Sequence, residues 1–213
     1  MKKKIIIPII MLILALIICS VVVIAKKHSE SKLTKTYEKM SENGQYQFER
    51  STKNEENKII VSEKGNKKII DMYNYGNHTT TLIKDDTSYL ILHDKEEYYD
   101  YNNIISEENP LLEELKKISE NEYTTGKEEV NGEKYYYEEY DNTSYFLLYA
   151  AKDMNPDTAK TRFYFKGNNL VYIKTIYTTT EGQNEEELWK VNIKYEVEDK
   201  IFEIPENYAE SLL

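Results

Sequence analysis

With 213 residues, 31 % of them charged and only 7 Gly and 4 Pro, the chain is too evenly mixed for a collagenous or linker-like protein and suits one domain with one core. Its formal charge of −10, from 28 basic and 38 acidic residues, repels phosphate backbones and argues against nucleic acid as a partner. The single cysteine, Cys19, excludes an internal disulfide framework and a cysteine-based metal site.

Residues 1–4 carry Lys2, Lys3 and Lys4, and residues 5–25 carry no charge at all. A helix of that length spans about 30 Å, the hydrocarbon thickness of a bilayer. The apolar region of a cleavable signal is shorter, roughly 7 to 15 residues. Leu16-Ile17-Ile18-Cys19 resembles the end of a lipoprotein signal, but Ile18 stands where Gly, Ala or Ser belongs. The expectation is therefore an uncleaved transmembrane signal anchor, with lipidation at Cys19 as the rival. The basic residues before the apolar run slightly outweigh Lys26 and Lys27 after it, which favours an inside amino terminus. Residues 1–4 then form a cytoplasmic tip, 26–32 a spacer and 33–213 an extracytoplasmic domain of a single-pass cell-membrane protein.

Leu33, Tyr37 and Met40 fall at i, i+4 and i+7, one face of a helix that ends near Asn43-Gly44. Residues 46–52, 58–64, 67–75, 79–84, 87–93 and 97–101 then alternate with turn signals such as Gly65-Asn66 and Gly76-Asn77, so six consecutive strands are predicted. Asn109-Pro110 opens a second helix with Leu111, Leu112, Leu115 and Ile118 on one face. Strands resume at 122–130 and 134–140 around the hairpin turn Asn131-Gly132. Residues 145–150 are apolar and of ambiguous type, and 152–160 read as a loop with one helical turn started by Asn155-Pro156. The strongest alternation comes last. Phe163 and Phe165, then Val171, Ile173 and Tyr177, then Trp189, Val191, Ile193, Tyr195 and Val197 alternate with polar neighbours, the pattern of an antiparallel meander with one wet face.

The expected fold class is α+β, mostly β: a curved antiparallel sheet, an unclosed half-barrel, with two covering helices and preceded by one N-terminal transmembrane helix. Chemistry is sparse. Asp153, Asn155 and Asp157 have the spacing that opens a calcium loop, but the required Gly and closing Glu are missing, and a capped turn explains them. His78 and His93 have no partner at ligand spacing and read as surface histidines. With no phosphate loop, nucleophile elbow or catalytic set, neither an enzyme nor a cofactor or metal is expected. Tyr98, Tyr99 and Tyr101 and the run Tyr135, Tyr136, Tyr137 and Tyr140 either line a groove for an amphiphile or wrap a half-exposed sheet.

The order of elements, closing on Phe202-Glu203-Ile204-Pro205-Glu206-Asn207-Tyr208, resembles the LolA/LolB/LppX-like superfamily of envelope lipoprotein and lipid carriers over residues 31–210. That resemblance implies a helix-plugged sheet around an apolar cavity for acyl chains, although an uncleaved anchor suits a tethered acceptor or sensor better than a diffusing carrier. The first functional expectation is a membrane-anchored domain that holds a lipid or acyl chain against Phe163, Phe165, Val171, Ile173, Trp189, Val191 and Ile193. The alternative is a protein-interaction or regulatory ectodomain with a filled core and an envelope protein as partner.

Overall fold

A computed structural model describes residues 31–85, 87–101, 110–141 and 154–211. The predicted anchor at 5–25, Cys19, the run 145–150 and Asp153 lie outside these residues. Helix α1 (Lys32–Asn43) leads into β1 (Gln45–Ser51), β2 (Asn57–Lys64), β3 (Lys67–Asn74), β4 (Asn77–Lys84), β5 (Thr87–Leu92) and β6 (Glu97–Tyr101). Helix α2 (Pro110–Ser119) precedes β7 (Tyr123–Val130), β8 (Glu133–Asp141), β9 (Met154–Lys166), β10 (Asn169–Thr179) and β11 (Asn184–Lys194), and a 3-10 turn (Asp199–Phe202) leads to the short β12 (Ala209–Glu210).

All twelve strands form one unclosed, curved sheet in the order β12-β6-β5-β4-β3-β2-β1-β11-β10-β9-β8-β7. Two meanders, β1 to β6 and β7 to β11, are joined where β1 pairs antiparallel with β11. Short loops make this connectivity economical, because each hairpin sets the register of the next strand. At Asn131 and Gly132 both residues take positive φ, 52° and 83°, as the predicted hairpin turn requires. Helix α2 lies in sequence between β6 and β7, strands near opposite ends of the sheet.

Directly paired residues share a face, so the register assigns every side chain. Phe48 pairs with Ile193 on one side and Val61 on the other, and the row continues through Ile70, Thr81, Leu90 and Tyr99. This is the inner face, where Leu33 and Met40 of α1 and Leu111, Leu115 and Ile118 of α2 join Tyr46, Phe48, Val61, Phe163, Phe165, Ile173 and Val191 in the main core. Each fully buried Leu or Phe here contributes roughly 1.5 to 3 kcal/mol.

The expected wet outer face is only half wet. Over β3 to β5, Ile69, Leu82 and Ile91 are buried beneath Val197 and Phe202, with Ile201, Ile204 and Tyr208 packed around them. The chain after β11 forms a strap across the outer face, fixed at its end by the parallel pairing of β12 with β6. Two-faced burial explains why adjacent residues such as Ile69-Ile70 and Leu90-Ile91 are both apolar. At the other end of the sheet Val130, Tyr135 and Tyr164 form a third cluster.

Residues 154–160 are not a loop with a helical turn. They extend β9, with Asn155 opposite Thr178 and Met154 opposite Thr179. Pro156 cannot donate to a ladder, and the register slips between Ile176 and Thr178, where β9 passes through this segment. Asn155 and Asp157 therefore lie along a strand and not around a calcium-style loop.

One polar group ties helix to sheet. Glu138 of β8 is 1 % exposed, and its carboxylate accepts hydrogen bonds from the Lys32 and Leu33 amides at 2.7 and 3.1 Å. The Tyr140 hydroxyl donates to the same carboxylate at 3.2 Å. The first amides of a helix have no intrahelical acceptor, so a side chain from a distant strand supplies one, and its charge suits the positive helix end. Glu138→Ala is expected to destabilise the protein by about 3 kcal/mol, because it leaves two amides without an acceptor in the core. Urea unfolding measures this; a midpoint equal to that of the unsubstituted protein would mean that α1 is not held in this way.

Candidate functional site

Among the described residues the inner face divides into a half that α1 and α2 fill and an open half that neither helix covers. Five of the seven residues expected to hold a ligand are buried in the filled half: Phe163, Phe165 and Ile173 at 2 % exposure or less, Trp189 and Val191 at 5 %. Ile193 is half-buried at the margin of the main core. Those six belong to one face; Phe163, Phe165, Ile173 and Val191 lie in the core shared with α1 and α2, and Val191 and Ile193 also line a cleft beside α1. Val171 does not join them. The register shifts between Leu170 and Tyr172, and a bulge of that kind turns consecutive side chains the same way, so Val171 packs with Tyr172 against Val130, Tyr135 and Tyr164 on the outer side.

Arg50 is the large polar exception in this half, 1 % exposed, with its guanidinium 4.5 Å from the Trp189 ring centre. Burial pulls its pKa down to about 10, partly offset by the carboxylates of Glu114 and Glu187, so it remains a cation at neutral pH. A cleft of roughly 270 Å³ lies between α1 and the sheet, bounded by Thr36, Leu170, Val171, Val191, Ile193 and Tyr195 and by Asn168, Asn169 and Asn192, so that three of the seven expected ligand residues border it. Just below the usual ligand-site range and walled partly by amides, it suits a small polar guest better than an acyl chain.

The open half is the inner face of β3 to β6. The register puts Ile70, Met72, Ile83, Leu90, Leu92 and Tyr99 on this side, and all six are half-buried. Apart from Ile70 they belong to none of the three clusters. The residues expected from the sequence to hold a ligand lie on β9 to β11; a second set of apolar residues, half-buried and mostly outside the clusters, lies on β3 to β6. Its signal was the doubled apolar pairs of β3 and β5, where one member faces each side.

The outer face carries two polar clusters. Near the strap, Asp71 of β3, His78 of β4 and His93 in the turn after β5 come together, although their spacing in sequence suggests no site. The two imidazoles stack with centroids 3.6 Å apart and planes 3° from parallel. At the other end, Glu128 of β7 accepts hydrogen bonds from Arg162 at 2.6 Å, Tyr164 at 2.7 Å and Lys174 at 2.7 Å. Arg162 also donates to Glu139. These pairs stitch β7 to β8, β9 and β10, so the edge of the sheet carries charge and not an apolar ladder.

No family model matches the chain, and no curated protein matches it. Among solved structures it is similar to an uncharacterized conserved protein from Thermus thermophilus, with a TM-score of 0.45 and 8 % identity over 86 % of this chain and 100 % of that one. It is also similar to a chain of the MucA/MucB complex from Pseudomonas aeruginosa, with a TM-score of 0.27 and 9 % identity over 84 % of this chain and 63 % of that one. Neither likeness is close enough to carry an argument about family or activity.

Glu128 generates a pH prediction. Burial works against its charge, yet the hydrogen bonds from Lys174, Tyr164 and Arg162 outweigh burial and hold its pKa down to about 2. A carboxyl group lowered on folding stabilises the folded state fully above its unfolded value and loses that contribution as pH falls through the folded one. With the side chain 28 % exposed, the contribution is about 2 kcal/mol after screening. Glu128→Gln is expected to remove that amount at pH 7 and to flatten the decline between about pH 5 and pH 2. Chemical denaturation across that range checks it; parallel curves for the two proteins would contradict the assignment.

Proposed function

We propose that this chain is a membrane-anchored, extracytoplasmic domain that binds a lipid or acylated ligand on the inner face of its curved sheet, and that the ligand lies along β3 to β6. The observation that carries this reading is the row of half-buried Ile70, Met72, Ile83, Leu90, Leu92 and Tyr99 beside a half of the same face that two helices already fill. An acyl chain suits such a trough because apolar burial is non-directional and accumulates at about 0.8 kcal/mol per CH₂. An N-terminal anchor would keep the domain attached to a bilayer, a source of acyl chains. The resemblance of element order to the LolA/LolB/LppX-like superfamily agrees with this reading, and the tether makes the protein an acceptor or sensor and not a shuttle.

A second reading is a protein-interaction or regulatory ectodomain whose core needs no ligand. The burial of Phe163, Phe165 and Ile173 beneath α1 and α2 favours it, since that half of the cavity is occupied by the chain itself. The two readings part at Leu90. Under the first, a version lacking residues 1–30 takes up a fluorescent long-chain fatty acid, and Leu90→Asp weakens uptake at least tenfold, a loss of about 1.4 kcal/mol, with its unfolding midpoint little changed. No uptake by the unsubstituted domain, or uptake indifferent to Leu90→Asp, would contradict the first reading.

A further inference from the structure

Asp71, His78 and His93 lie on the outer face, opposite the surface proposed for a lipid, and could together hold a metal ion. Asp71 and Thr80 are direct partners across β3 and β4, and so are Tyr73 and His78. The His93 amide donates to the His78 carbonyl at 3.2 Å, which brings the second histidine alongside the first. Two strands and the turn after β5 thus deliver three ligand-type side chains to one spot, and one ligand atom from each lies within 4.8 Å of the others.

The polar atoms converge on a single point. His78 Nε2 is 3.3 Å from Asp71 Oδ1, and the Thr80 hydroxyl, 2.7 Å from His93 Nε2 and 3.4 Å from His78 Nε2, also donates to Asp71 Oδ1. On the far side of its ring, His93 Nδ1 bonds the Tyr208 hydroxyl at 2.9 Å. A ligating imidazole generally has its other nitrogen fixed by a second group, which settles the tautomer and the ring orientation. Tyr208 occupies that position. His78 is held from its free side by the Tyr73 ring, stacked at 4.0 Å.

We propose that Asp71, His78 and His93 bind a borderline divalent transition-metal ion of the Zn²⁺ type, through both Nε2 atoms and one carboxylate oxygen. Two imidazoles and a carboxylate suit Zn²⁺, Co²⁺, Ni²⁺ or Cu²⁺ and not the oxygen-seeking Ca²⁺ or Mg²⁺. The parallel rings must each turn about the Cβ–Cγ bond until their lone pairs meet at the ion, which takes the place now filled by the Thr80 hydroxyl. Partial exposure, 25 % for His78 and 20 % for Asp71, gives the rings room to do so. Three protein ligands leave a fourth position for water or for a donor from a partner. Because Tyr208 belongs to the strap, a bound ion also fastens the C-terminal segment to β3, β4 and β5.

The test uses the full chain in detergent, carrying no histidine tag and stripped with a chelator, then equilibrated with zinc chloride. One ion per chain is expected, with two imidazole nitrogens in its X-ray absorption edge structure. His78→Asn and His93→Asn should each weaken binding more than 100-fold, and Tyr208→Phe by about 10- to 100-fold, the usual cost of losing an outer-shell partner. His28→Asn, outside the cluster, should change nothing. Failure to bind zinc at micromolar concentration, a zinc spectrum without two imidazoles, or binding that survives loss of both His78 and His93 would overturn the proposal.

Discussion

A sheet of twelve strands that never closes has two faces, and every apolar side chain on either face must be covered or left wet. That constraint organises the molecule. The cover is split: α1 and α2 sit on the inner face of one meander and its junction with β1 and β2, while the strap from Val197 to Tyr208 sits on the outer face of β3 to β6. Each end of the sheet therefore has one covered face, and the two covers lie on opposite sides. Among the described residues neither cover reaches the outer face of β7 to β11, where charged pairs surround the small cluster of Val130, Tyr135 and Tyr164, or most of the inner face of β3 to β6, where Met72, Ile83, Leu90, Leu92 and Tyr99 are half-buried.

The buried polar groups follow from the same arrangement. Glu138 meets the unsatisfied amides of α1 at the place where helix and sheet touch. Arg50 lies over Trp189 between sheet and α2 and keeps its charge near Glu114 and Glu187. Buried charges of this kind constrain how α1 and α2 are seated more than they add stability, because removing a charge from water costs nearly as much as pairing recovers. The Asp71, His78 and His93 cluster performs the corresponding task on the outer side, where Tyr208 links it to the strap.

Much of the fold was legible in the chain because strand alternation and turn residues are local signals. The six strands of the first meander, the Asn131-Gly132 hairpin, both helices and the face shared by Phe163, Phe165, Trp189 and Val191 all follow from them. What was missed depends on partners distant in sequence. Val171 was assigned inward because a bulge is invisible to strict alternation. Asn155-Pro156 read as a helix start because the pairing with β10 that overrides it is non-local. The histidine cluster has no motif, since its members are brought together by hairpin register. The strap left a trace in the paired apolar residues Ile69-Ile70 and Leu90-Ile91, which an alternating, half-wet strand does not need. The most regular alternation marks the best-covered residues, Phe163, Phe165, Ile173, Trp189 and Val191.

Strand β5 presents opposite characters on its two sides: Leu90 and Leu92 half-buried on the inner face, Ile91 buried beneath the strap. Single cysteines placed at 90, 91 and 92 in a Cys19→Ser background and titrated with a thiol reagent test it directly. Rapid labelling at 90 and 92, slowed by a long-chain fatty acid, with position 91 protected until the protein is unfolded, is the predicted result. Equal rates at the three positions, or protection at 90 with reactivity at 91, would contradict the account.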